Sequence, residues 1–368
     1  MHASFNRAAL GRVALGLAIG LAGGCLFAWI GTPLPWMIGP IVCCGLATFL
    51  GLPLKASSEG RIGGMLVLGL ALGLYFTPEA AVAVLAHLPV IIAASGTTLV
   101  VGAAASFLLA RTARIDHVTA FFCSVPGGVA EMSMVGERFG GRPMPIAVTQ
   151  LLRVVSVTIL IPSTLTLLGA GGGSTSALGT LPFSPGGLLI SLALAFAFSA
   201  LLARFRFRNA WLLGPMAVGC VLGLTEANLS SVPPWLSALG QVLMGAHIGA
   251  QFDRALITSM RRFIPAALVN LAVLMGGCAT VGVLVAYASG ISVGNMVLAT
   301  SPGGVTEMCI TAKVLHLDVP IVVAFHIVRI FLVILSAPYL FRLLRAVGVM
   351  PTPPNHAPAR DTARMPAE

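Results

Sequence analysis

Two short stretches carry groups that rarely sit inside strongly apolar sequence: SVPGGVAEM at 124–132 and TSPGGVTEM at 300–308. Proline removes a backbone donor and paired glycines add freedom at φ > 0, so a helix entering either stretch must break. A break beside an aqueous path leaves N–H groups free at the start of the next helix, and these attract anions. Pro126, Gly127 and Gly128, with Pro302, Gly303 and Gly304, would open the backbone, and Ser124 and Thr300 add hydroxyl ligands ahead of each break. Glu131 and Glu307 fall in the first turn after it. A carboxylate there can cap the helix, bind a cation or carry a proton.

A second set lies downstream. Gln150 and Arg153 are three residues apart, as are His326 and Arg329, so each pair shares one helical face. Both arginines sit in apolar sequence, where an unpaired guanidinium is costly. The expected partner of each is the glutamate of its own half. Two roles stay open for the pair, a structural Glu–Arg clamp and a solute-binding arginine. His247, in MGAHIG (244–249), is a weaker candidate. The blander reading makes each Pro-Gly-Gly only a kink, but ionisable groups in membrane segments are functional candidates by default.

The elements that hold these groups follow from composition. The 368 residues are 57% hydrophobic and only 9% charged, with a mean hydropathy of +0.99. That is too little charge to cover a water-soluble surface, so lipid is the solvent. Runs such as 13–30, 90–110 and 263–288 match the roughly 20 helical residues that cross a bilayer. Period-two alternation is absent, which excludes a barrel and gives an all-α polytopic membrane protein. The net charge of +10 comes from basic residues in short loops, RFRFR (204–208) the densest. They read as cytoplasmic anchors, not as a nucleic-acid surface. The seven cysteines show no metal-type CxxC spacing.

The chain also repeats itself. Pro126 and Pro302 lie 176 residues apart, and the same offset relates Gly69 to Gly245, Gly73 to Gly249, Glu131 to Glu307 and Arg153 to Arg329. PWMIGP (35–40) and AWLLGP (210–215) match one residue out of register. The expected organisation is a first membrane repeat at 5–169, a Gly/Ser-rich linker at 170–182, a second repeat at 183–347 and a disordered polar tail at 348–368. Each half has six apolar segments. If all six crossed, the basic loops would fall on both sides, against the rule that Lys and Arg collect in the cytoplasm. If the Pro-Gly-Gly segment instead dips in and returns, the basic loops all fall on one side, Lys313 being the exception. About five crossings per half then make the halves inverted repeats, a signature of secondary transporters. Both termini are placed in the cytoplasm.

PLPWMIGP (33–40), AWLLGP (210–215), PGGVAEM (126–132) and PGGVTEM (302–308) together resemble the AbrB family of duplicated bacterial membrane proteins. The resemblance covers nearly the whole chain except the tail. It brings two labels, ammonia monooxygenase and regulator of gene expression. The plan of crossings plus a Gly-Gly hairpin is also similar to that of 2-hydroxycarboxylate and glutamate symporters. The histidines are dispersed, with no HxH or HxxxH pair for a copper site, and no GxxxxGK[ST] stretch occurs. The sequence therefore favours a gradient-driven transporter of a small, anionic solute, with H+ or Na+ as coupling ion and no further cofactor or metal. The two breaks are expected to meet in one site, where the glutamates exchange the cation and the arginines balance charge or hold the solute. The alternatives are an indirect, membrane-based effect on gene expression and the monooxygenase. The partners are the bilayer and a small solute or ion, and a homodimer is left open.

Overall fold

The computed structural model describes residues 7–170, 182–207, 209–227, 229–252 and 254–346. Most of the expected linker and all of the expected tail lie outside the described residues. The described chain forms sixteen α-helices and no strand. The first eight are α1 (Arg7–Ile30), α2 (Pro35–Phe49), α3 (Ser58–Gly73), α4 (Pro78–Ala86), α5 (Leu88–Ala113), α6 (His117–Ser124), α7 (Val129–Arg138) and α8 (Pro143–Leu167). The second eight are α9 (Pro185–Arg204), α10 (Ala210–Leu224), α11 (Pro234–Gly249), α12 (Arg254–Ser259), α13 (Ile264–Ser289), α14 (Val293–Thr300), α15 (Val305–Val314) and α16 (Val319–Ala346). The bounds of α5, α6 and α7 recur 176 residues later as those of α13, α14 and α15 (88 to 264, 117 to 293, 129 to 305).

Five helices are long and apolar enough to cross a membrane alone: 10–30, 88–113, 143–167, 185–204 and 264–289. A sixth candidate is the pair α3–α4, bent by 85°, where Thr77 caps α4 through Ala80 N–H. The protein is a multi-pass α-helical membrane protein.

Each Pro-Gly-Gly segment is the tip of a helical hairpin. Asp116 caps α6 through Thr119 N–H at 2.7 Å. The chain then leaves helix at Val125, runs extended to Gly128 and resumes in α7. The far end of α7 comes back beside the start of α6: Arg142 N–H donates to Thr119 Oγ1 at 2.9 Å, and the Arg142 guanidinium lies 3.5 Å from the Asp116 carboxylate. In the second half the base of the hairpin is tied in the same way, Asp318 N–H donating to Asn295 Oδ1 at 2.9 Å. Both arms of each hairpin therefore start and finish at one end.

The helices sort into two bundles, and each bundle draws on both halves of the sequence. In one, α2 packs on α1 and α11, while α3 packs on α10 and α11 and α9 on α10. In the other, α5 packs on α13 and the two hairpins are held by α8 and α16. Glycines set the close crossings of the first bundle. A Cβ on Gly69 would stand 2.8 Å from Leu212 O, and one on the equivalent Gly245 would stand 2.7 Å from Met37 O. In lipid, where helices gain no hydrophobic drive toward one another, such close backbone approach is what holds them together.

Candidate functional site

Between the bundles lies a cavity of about 740 Å³. Its walls take the tips of both hairpins (Pro126, Gly127, Gly128 and Gly303, Gly304), the first turns behind them (Glu131 and Glu307), and Arg153 and Arg329 from α8 and α16. The two breaks thus face one space. Arg153, Arg329 and Glu307 are nearly fully buried at 4%, 5% and 5% exposure, whereas Glu131 is half-buried. Glu307 and Arg329 are within electrostatic range of Arg153.

The partners of the arginines differ from the sequence expectation. Arg153 donates through Nη2 to Gly127 O at 2.7 Å and through Nη1 to Gln150 Oε1. Arg329 donates through Nη2 to Gly303 O at 2.7 Å and through Nη1 to Ser301 O. Neither forms an ion pair with the glutamate of its half; among the described residues the ion pair is Asp116–Arg142. The reason is the break itself. It frees carbonyls that no helix satisfies, and a guanidinium with five donors can take them, two at Arg329 and one at Arg153. Gln150 does the same work beside Arg153, its Nε2 donating to Phe122 O at 2.8 Å and Val125 O at 3.0 Å.

The glycines also act otherwise than expected. None of the four has positive φ, so left-handed freedom is not what they supply. Their missing Cβ matters instead. A Cβ on Gly128 would stand 2.6 Å from Glu131 Oε2, and one on Gly304 would collide with Glu307 Oε2. Each glutamate folds back over the start of its own helix, and the glycine makes room for it.

Four expected site residues lie behind the cavity wall. Ser124 is buried and accepts from Asn270 Nδ2 at 3.0 Å. Thr300 donates to Cys278 O at 2.9 Å and Met296 O at 2.8 Å. Pro302 is buried beside it. His326, the counterpart of Gln150, is fully buried with Nδ1 2.9 Å from Val322 O. Their place is in hairpin packing, not on the wall. His247 does line the cavity, with Nδ1 3.1 Å from Ser57 O.

Sequence reasoning missed Arg61, Glu137, Asn209 and Gln251, which line the outer part of the same cavity. Each sits at a helix end next to a loop, where a polar residue carries no signal of its own. The 176-residue offset was the available clue, since it pairs Glu137 with Lys313 and Gln251 with Tyr75. Among the described residues, no three His, Cys, Asp or Glu side chains gather as metal ligands.

The chain has relatives among known proteins. The chain is 29% identical over 352 residues to "Uncharacterized protein YhjN" of Bacillus subtilis (strain 168), covering 89% of this chain and 92% of that one. It is 24% identical over 314 residues to "Putative regulator AbrB" of Escherichia coli (strain K12), covering 85% and 90%. A family model described as "Transition state regulatory protein AbrB" matches residues 36–345. A chain matched over that span, from α2 to the last turn of α16, belongs to the AbrB family.

Proposed function

We propose that this protein is a secondary transporter, driven by an ion gradient, for a small anionic solute bound at the two hairpin tips. The observation that carries this reading is that both breaks, two buried arginines and a buried glutamate line one cavity between two bundles. The two halves act as inverted repeats of five crossings each, and the end bearing Arg61, Arg142 and Arg204 faces the cytoplasm. Arg153 and Arg329 hold the tips through carbonyls yet keep their charge. With Glu307 ionised the buried trio carries two positive charges and one negative, which one anionic group on the solute neutralises. A proton on Glu307 removes the competing negative charge and favours the anion further, so solute and proton bind together. Glu131, half-buried at the other tip, is the second site for the coupling cation. Arg153 Nε, buried with no protein partner among the described residues, is a donor left for the solute.

The test is uptake into proteoliposomes holding the purified protein, with labelled mono- and dicarboxylates and phosphate, under imposed proton or sodium gradients. Accumulation of one of these above gradient-free vesicles is expected. Equal uptake with and without a gradient, or uptake of cations alone, overturns the reading. The regulator names of the family model and of the Escherichia coli relative favour a second reading, an indirect effect on gene expression, which follows if the transported solute is itself a signal. Expression changes that survive in a flux-dead, well-folded variant would argue for a direct regulatory role instead.

A further inference from the structure

The cavity is open at one end and sealed at the other. Arg61, Glu137, Pro143, Asn209 and Gln251 line its outer part, all at helix ends on the side of the hairpin α6–α7 base. At the opposite end the last turn of α15 meets the end of α3, and Lys313 Nζ lies 5.6 Å from the centre of the Tyr75 ring. Leu34, Ile161, Leu165 and Leu315 are buried at that end, in an apolar cluster that continues onto the cavity walls.

This asymmetry falls on equivalent elements. α15 packs on α3, whereas their counterparts α7 and α11 face each other across the cavity. Likewise α8, which also lines the cavity, packs on α2, while their counterparts α16 and α10 both face the cavity. The residues follow the same rule: offset by 176, Tyr75 becomes Gln251 and Lys313 becomes Glu137. Glu137 is exposed in the structure, and the Gln251 amide is folded onto its own helix at His247 O, 3.4 Å away.

We propose that Tyr75–Lys313 and Gln251–Glu137 are the two gates of an alternating-access cycle, and that the structure shows the first shut and the second open. In the opposite state α7 closes on α11 as α15 now closes on α3, and Glu137 accepts a hydrogen bond from the Gln251 amide. The two gates differ in chemistry. One is an ammonium on an aromatic face, the other a charge-assisted hydrogen bond. Because both gates cannot be open at once without a leak, weakening one shifts the population toward the state that shuts the other. The inference rests on the transporter reading, but it can be tested without any solute.

The experiment is disulfide crosslinking of a Glu137→Cys/Gln251→Cys pair in membranes, read by mass spectrometry with single-cysteine controls. Adding Tyr75→Ala or Lys313→Ala is expected to raise the crosslinked fraction on the order of fivefold, the weight of one cation–π contact. Tyr75→Phe keeps the ring and should leave it unchanged. No rise with either alanine variant, or an equal rise with Tyr75→Phe, overturns the gate assignment. If Lys313→Ala fails to accumulate in the membrane, Tyr75→Ala against Tyr75→Phe decides alone. Flux without a crosslink shift sinks the gates and leaves the transporter; a crosslink shift without flux of any anion does the reverse.

Discussion

At the level of single residues, the arginines and glutamates have traded roles relative to the simplest electrostatic expectation. Arg153 and Arg329 are fastened to Gly127 O and Gly303 O, which leaves the glutamates without an ion-pair partner among the described residues. Two predictions follow from that division. Arg153→Gln should lower stability by about 1–3 kcal/mol, because Gln150 Oε1 is left buried without this donor and Gly127 O loses its partner at the hairpin tip; a thermal-unfolding scan in detergent reads this, and Arg153→Lys should recover part of it. Glu307→Gln should fold normally, since no ion pair is lost, and should reduce the pH dependence of solute binding. The sign is set by charge: a proton on Glu307 raises wild-type affinity, and the glutamine variant, which cannot lose that proton, is expected to show a weaker dependence on pH in a binding series. The glutamates, the arginines and the Pro-Gly-Gly runs were all legible in the sequence as unusual groups in apolar surroundings. Their pairing was not. A carbonyl freed by a break has no residue type, so nothing in the string of letters marks it as the acceptor an arginine will choose.

The hairpin is the element that converts those residues into a site. Its return was readable indirectly, because basic residues at 138–142 belong on the same side as those at 111–114 only if the segment turns back. The tie that fixes it was not readable, since Thr119 and Arg142 are 23 residues apart and neither belongs to a motif. Thr119→Val should remove that tie and the side-chain bond from Thr119 Oγ1 to Asp116, 2.8 Å long. The expected loss is about 1–2 kcal/mol, with faster amide exchange confined to 117–142 as the measurement. Helix contacts follow a different logic, in which the glycine is the contact. Gly249→Ala would place a methyl 2.8 Å from Ile41 O, forcing α11 away from α2 at a cost of about 1–3 kcal/mol. The matched glycines at 69, 73, 245 and 249 were visible as part of a repeat. That they are the crossing points became apparent only once helices from different halves were seen to meet there, because periodicity says which face is small but not what packs on it.

Across the whole molecule, the division that matters is not the one along the chain. The repeat suggests two units in series, yet the two bundles each take α-helices from both halves. The cavity lies between bundles, so its walls draw on both halves of the chain. Thiol labelling of single cysteines in 138–142 and 204–208 should come from one face of the membrane, and labelling in 31–33 and 288–292 from the other. Mixed accessibility within either set would remove the inverted arrangement.

That exchange of helices has a consequence for how the protein is made. When α1–α8 have left the ribosome, the Gly69 and Gly73 face of α3 has no helix to receive, and α2 lacks α11. At roughly 5–20 residues per second, α9–α16 take on the order of ten to thirty seconds to arrive. During that interval the first half waits in the bilayer only partly assembled, open to capture by membrane chaperones and proteases. Two polypeptides cut after α8 should therefore be degraded when made singly and should rescue each other when made together, with protease-resistant material in immunoblots of membranes as the readout.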